Sequence, residues 1–230
     1  MMLRFFPTVL VLCCLQQPTY SADFLQFRGE SGQGQSAQTD VPTTWSDDSN
    51  LLWKAELSGR GSSSPIVVGD RVFVTAYAGY GNADQSGGQD KLVRELICFN
   101  LEDGKQIWKA TVGNQQREDV YQGFITEHGY ATSTPVSDGE FIYVFYGKSG
   151  VLAFDLAGKQ QWHVNVGTES AQRRWGSAPS LVLHQDKVIV NASDESQTMF
   201  ALNKKDGSVA WKAEAAGLEN SFNTPLLVKS

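Results

Sequence analysis

Cysteine is scarce: the 230 residues contain three, and two of these form the vicinal pair Cys13 and Cys14 near the amino end. Cys98 stands alone in the rest of the chain, which rules out an internal disulfide there, and no Cys/His spacing suited to zinc occurs. Charge is also sparse, at 19% of residues, with no run of Lys or Arg and a net charge of −6. The positive field that draws phosphates is missing, so nucleic acid is excluded as a partner. Long apolar stretches are absent too. The run from Phe5 to Leu15 covers 11 residues, whereas about 20 are needed to cross a hydrocarbon core of roughly 30 Å.

What is present is 41% hydrophobic and 11% aromatic residues with 22 glycines, enough apolar surface for a real core and a balance that favours short strands joined by tight turns over a helical bundle. Arg4, the short apolar run and the polar stretch Gln16 to Ser21 have the layout of a secretory signal. Cleavage after Ser21 puts Thr19 and Ser21 at the two small-residue positions. Residues 1–21 are therefore expected to be removed together with Cys13 and Cys14, placing the protein in the periplasm or outside the cell. Leu12 before Cys13 is too bulky for a lipid-acylation signal. Residues 22–50 read as an extended amino-terminal segment, with no transmembrane span in the mature chain.

From residue 51 the chain repeats itself. Trp53, Trp108, Trp162 and Trp211 lie 55, 54 and 49 residues apart. Three of them end one phrase, which runs from Cys98 to Trp108, from Ala153 to Trp162 and from Ala201 to Trp211. Each copy has an apolar run, an Asn or Asp able to bond its own backbone (Asn100, Asp155, Asn203), a Gly suited to positive φ (Gly104, Gly158, Gly207) and a second run carrying the Trp. This is the grammar of a β-hairpin. A second phrase precedes it, from Ser64-Pro65 to Thr75, from Thr134-Pro135 to Phe145 and from Ala178-Pro179 to Val190, and a further copy opens at Thr224-Pro225. Each unit is thus four short antiparallel strands. Val72, Val74 and Ala76 alternate with Phe73, Thr75 and Tyr77, so both faces of the strand are apolar and a neighbour must cover each. The expectation is an all-β chain: a β-propeller of four-stranded antiparallel blades, incomplete, with about three blades and parts of two others. An outer strand falls at 51–57, blades at about 60–113, 130–167 and 176–214, and the start of a fourth at 222–230.

These phrases resemble the repeats of the pyrroloquinoline quinone (PQQ)-like propellers, in which an Ala-x-Asp-x-x-x-Gly-x-x-x-Trp hairpin docks its Trp on the neighbouring blade. Phe24-Leu-Gln-Phe-Arg-Gly29, followed by Trp45 to Trp53, also resembles the start of secreted bacterial proteins of this repeat type. The resemblance implies inner strands lining a central channel and Trp-bearing strands outermost. Seven or eight blades need more than about 300 residues, so the chain is expected to be the amino-terminal part of a longer protein. The rival arrangement is two chains closing one ring.

In the quinone-dependent dehydrogenases of this type, the resemblance implies a vicinal disulfide above PQQ, a Trp beneath it, a Ca²⁺ ion held by carboxylate and amide oxygens, and an Asp base. None of these maps residue by residue onto this chain. Cys98 stands where the other copies have Ala153 and Ala201, the position of a small core residue. The loops before the inner strands are the better place for a ligand. Arg60, His128, Tyr130, Arg173, Arg174, Trp175 and Asn220 lie there, and guanidinium forks with flat rings suit an anionic planar molecule or a polar peptide; the same side chains also suit loop packing or a solvated surface. His128 would act as a base only with an orienting acid, and Glu127 adjoins it in sequence. Asn82, Asp84 and Asp90 in the Gly-rich insertion lack calcium-loop spacing. The glycines of residues 27–34 follow no strand, which excludes a dinucleotide loop. Asn191-Ala-Ser193 fits a glycosylation pattern on an expected strand.

The expected role is binding or scaffolding in the cell envelope, with another envelope protein or a small polar ligand as partner. It resembles the use of this fold by the propeller subunit of the outer-membrane β-barrel assembly machinery. The alternative is a PQQ- and calcium-dependent alcohol-type dehydrogenase whose catalytic residues lie in a missing carboxyl half.

Overall fold

The computed structural model describes residues 23–36, 39, 41–81, 87–214, 216–217 and 221–228. The signal-like segment 1–21, Asn82, Asp84 and Asn220 lie outside the described residues. Three four-stranded antiparallel sheets follow one another along the chain. The first contains β1 (Ile66–Val68), β2 (Arg71–Ala78), β3 (Val93–Asn100) and β4 (Gln106–Gly113). The second contains β5 (Val136–Ser137), β6 (Phe141–Phe145), β7 (Val151–Asp155) and β8 (Gln160–Val164). The third contains β9 (Val182–His184), β10 (Lys187–Ala192), β11 (Thr198–Asn203) and β12 (Val209–Glu214). Two single helical turns, α1 (Ile125–His128) and α2 (Ser193–Ser196), sit in the connections. The fold is all-β, three blades of an incomplete propeller.

Each blade repeats the same local chemistry. In the last hairpin the Trp pairs with a small residue: Trp108 with Cys98, Trp162 with Ala153, Trp211 with Ala201. A bulge follows at the same place in all three, where the twist increases. Asn100 Oδ1 accepts from the N–H groups of Glu102 and Asp103, and Asp155 Oδ1 from those of Ala157 and Lys159. These side chains shape the turn that the glycine completes.

The turn of one blade is the seat for the Trp of the blade before it. Trp53, Trp108 and Trp162 donate their indole N–H to the carbonyls of Leu101, Leu156 and Lys204, at 2.8, 3.0 and 2.8 Å. Each indole also lies flat on a glycine. A Cβ on Gly158, whose φ is +83°, would fall 2.8 Å from Trp108 Cδ2. Gly158→Ala therefore incurs both the cost of left-handed backbone, roughly 1–2 kcal/mol, and displacement of the indole. Gly139, with φ +89° and nothing near its would-be Cβ, incurs only the first. Denaturant unfolding should show the larger loss at Gly158.

Apolar side chains meet between the sheets. Phe73, Leu96 and Cys98 of the first pack against Ile142, Val144, Leu152 and Phe154 of the second. Tyr143, Val151 and Trp162 of the second pack against Val188, Val190 and Leu202 of the third. The opposite face of β2, with Val72 and Ala76, is covered by Trp53.

A second link runs between the heads of the inner strands. The Ser64 N–H donates to Thr134 Oγ1, the Thr134 N–H to Ser180 Oγ and the Ser180 N–H to Thr224 Oγ1, each at 3.0 Å. One step repeated in one direction across four successive inner segments is a radial repeat. Residues 51–57 and 221–228 form no strand, since neither pairs in a ladder among the described residues. The amino-terminal segment lies on the inner edges: Phe24 exchanges two hydrogen bonds of 2.9 Å with Val67, and Leu25 O accepts from the Ser137 N–H.

Candidate functional site

The connectors from β4 to β5 and from β8 to β9 come together with the turns at 146–150 and 193–197 on one side of the blades. Two clusters form there, one exposed and one buried.

The exposed cluster is aromatic and basic. Trp175, in the second connector, has Phe124 of the first connector 4.8 Å from it and Phe222, which follows the third blade, at 5.5 Å. The Arg173 guanidinium sits 4.7 Å over the Trp175 ring, a cation–π arrangement. Phe124 is 52% exposed. Arg174 is exposed with φ +51°. His128 packs on Phe124 and places Nδ1 2.9 Å from Thr132 Oγ1. Burial pushes its pKa down, while the Trp175 backbone partly offsets that. The ring is oriented by a hydroxyl and backbone, not by Glu127.

The other sequence-selected residues sit elsewhere. Arg60 is exposed and exchanges backbone hydrogen bonds with Tyr77. Tyr130 is buried, donates to Asp119 O at 2.7 Å and meets the Tyr77 ring edge-on at 5.4 Å. The structure thus groups His128, Arg173 and Trp175 around one surface and leaves Tyr130 in the interior. Cys98 is fully buried, and burial pushes its thiol up to about 11, so it remains an inert thiol. Asn191 is buried as well. Its amide donates to the carbonyls of Ser221 and Asn223 at 3.0 and 3.1 Å, an engagement that closes the glycosylation pattern to a sugar.

The buried cluster contains residues that no motif marks. Arg94, on β3 and 1% exposed, pairs with Glu118 at 2.5 Å. It also donates to Ser149 Oγ at 3.0 Å, Asn114 Oδ1 at 3.2 Å and Tyr130 O at 3.3 Å. Lys148 pairs with Asp119 at 3.2 Å and donates to Ser170 Oγ at 2.6 Å. Asp194 and Glu195 of α2 line the same cavity of about 20 Å³, room for one water-sized group. Tyr146 Oη, Asp194 Oδ1 and Glu195 Oε2 have no hydrogen-bond partner among the described residues. The spacing of the charged residues along the chain, at 94, 118–119, 148 and 194–195, forms no pattern that marks them as neighbours.

PQQ does not fit these residues. The buried cavity is water-sized, and its four carboxylates outnumber its two cations, the wrong field for a planar polycarboxylate. A larger space of about 830 Å³, between the amino-terminal segment and the inner strands, offers one cation, Arg28, beside Glu30. Trp175 is already covered by Phe124, Phe222 and Arg173. For calcium, no three carboxylate, His or Cys groups come together as metal ligands among the described residues. No described helix is long and apolar enough to cross a membrane.

Known proteins share this pattern. The outer membrane protein assembly factor BamB of Alkalilimnicola ehrlichii is 27% identical over 162 residues, covering 69% of this chain and 34% of that protein. The chain thus spans about a third of that relative's length. The crystal structure of BamB from Moraxella catarrhalis aligns over 75% of this chain and 55% of its own, at 15% identity and a TM-score of 0.40. The quinohemoprotein alcohol dehydrogenase of Comamonas testosteroni aligns over 67% of this chain and 21% of its own, at 18% identity and a TM-score of 0.46. A PQQ-repeat family profile described as outer membrane protein assembly factor BamB covers residues 89–224, from the end of the Gly-rich insertion to Thr224 at the head of the fourth inner segment. With that stretch matched and three blades built on its repeat, the chain belongs to the BamB-type PQQ-repeat family.

Proposed function

We propose that this chain is a binding and scaffolding propeller of the cell envelope that holds another envelope protein against its connector side. The observation that carries this reading is the contiguous set Phe124, Trp175 and Phe222, one ring following each of three successive blades, with Arg173 over the central indole. Aromatic rings and Arg are the side chains that anchor protein interfaces. On a chain of net charge −6, Arg173 and Arg174 give this patch a local positive sign suited to an acidic partner surface. The signal-like amino end and the family's description as an outer membrane assembly factor support the compartment. The alternative, a PQQ- and calcium-dependent dehydrogenase, would need its cofactor site supplied by residues beyond these three blades, since the described residues suit neither PQQ nor its calcium ion.

Site-specific photocrosslinking in cells tests this. A photoreactive residue at Phe124 or Phe222 should capture a component of outer-membrane protein assembly, and Arg173→Glu with Arg174→Glu should reduce that capture at least tenfold. Capture that is unchanged in the double variant, or none at either position, would overturn the assignment. Titration of the full chain with PQQ and Ca²⁺, followed by absorbance and dye-linked alcohol oxidation, should give no turnover; turnover would restore the enzyme reading.

A further inference from the structure

The buried cluster has more acid than its cations can neutralise. Arg94 is spent on Glu118, and Lys148 on Asp119. That leaves Asp194 and Glu195 adjacent on α2, both buried, each with one carboxylate oxygen lacking a hydrogen-bond partner among the described residues. The groups around them come from every neighbouring element: Arg94 from β3; Glu118, Asp119 and Tyr130 from the first connector; Tyr146 and Lys148 from the turn between β6 and β7; Ser177 from the second connector. Ser170, also on the second connector, is tied to both Lys148 and Asp119. With all four acids ionised, the cavity would hold four negative charges against two positive.

We propose that Asp194 and Glu195 form a pH-operated latch between the third blade and the two before it, closed while Glu195 is protonated and loosened when both acids are ionised. Gly147 lies against the Glu195 carboxylate, with its would-be Cβ 3.2 Å from Oε1, so the turn of the second blade closes directly on this group. The Glu195 carbonyl accepts from the Glu169 N–H at 2.9 Å, which ties α2 to the second connector. Burial, then the Asp194 charge, pushes Glu195 up to about 8. Burial and Asp119 push Asp194 up to about 6. Both folded values lie above the unfolded ones, so the native state keeps protons that the unfolded chain releases. The stabilisation is complete below the unfolded values and is lost as pH rises, through about 6 for Asp194 and about 8 for Glu195. The first connector carries Phe124 and the second carries Trp175, so the latch underlies the exposed aromatic cluster, although it stands whether or not that cluster binds a partner.

Amide hydrogen exchange of α2 and β11 in the full chain, corrected for intrinsic exchange, tests the latch. In the wild type, the opening constant should rise about tenfold per pH unit between pH 6.5 and 8, the slope of one proton. Glu195→Gln, which mimics the neutral acid in shape, should flatten the profile. Asp194→Asn, by removing a neighbouring charge, should move the rise to lower pH. A flat wild-type profile would overturn the latch, as would an equal slope in Glu195→Gln. Should that variant not fold, an unshifted profile in Asp194→Asn overturns it and a shifted one supports it.

Discussion

Trp162→Ala lowers the unfolding free energy by about 3–5 kcal/mol, whereas Trp211→Ala at the equivalent position of the next blade costs less than about 1 kcal/mol. The two residues occupy the same place in the repeat, opposite Ala153 and Ala201, and differ only in what lies beyond them. Trp162 is 8% exposed, packs against Tyr143 at 5.8 Å, lies on Gly207 and donates to Lys204 O at 2.8 Å. Its removal opens a cavity between the second and third blades and strips a partner from that carbonyl. Trp211 is 45% exposed and meets no following turn among the described residues. Urea denaturation of the two variants beside the wild type reads the difference. Equal losses would mean that the indole acts within its own blade and that seating on the next turn contributes little.

The blades were legible because their chemistry is local. A turn-forming Asn or Asp, a positive-φ glycine and a Trp at fixed spacing lie within about ten residues, and their recurrence exposes the repeat. The small residue opposite each Trp was legible too, since Cys98, Ala153 and Ala201 align in the three copies. The links that join blades were harder to see. Ser64, Thr134 and Thr224 stand before proline, where the chain is held extended, but the third member, Ser180, follows Pro179, and that two-residue offset hides the series. The charged cluster left no trace, because Arg94, Glu118, Lys148 and Asp194 come from four separate elements and touch only after the blades stack. Where the connector residues point was hidden for the same reason. Spacing puts Tyr130 and Trp175 in equivalent connectors, and only packing decides that one turns inward to Asp119 and the other outward to Phe124.

Arg94→Met should destabilise the protein by about 3–5 kcal/mol at neutral pH, because it breaks a buried ion pair from one side only. The guanidinium is the cation paired directly with Glu118, and it also satisfies Ser149, Asn114 and the Tyr130 carbonyl. Methionine fills much of the stem's volume, so the loss is chiefly electrostatic, leaving one cation, Lys148, among four buried carboxylates. This gives the penalty a direction in pH. An unpaired, buried Glu118 takes up a proton in the native state, so the variant should recover toward acid pH and lose most above neutrality. Adding Glu118→Leu to Arg94→Met should restore part of the loss, since removing both partners leaves no orphaned charge, whereas two independent sites would simply add. Chemical denaturation of the two single variants and the double variant at pH 5.5 and 8 supplies the full cycle. A loss under about 1 kcal/mol for Arg94→Met at pH 8, or additivity in the double variant, would show that the blades are held by their apolar faces and indole seats alone and that the buried charges ride on that frame.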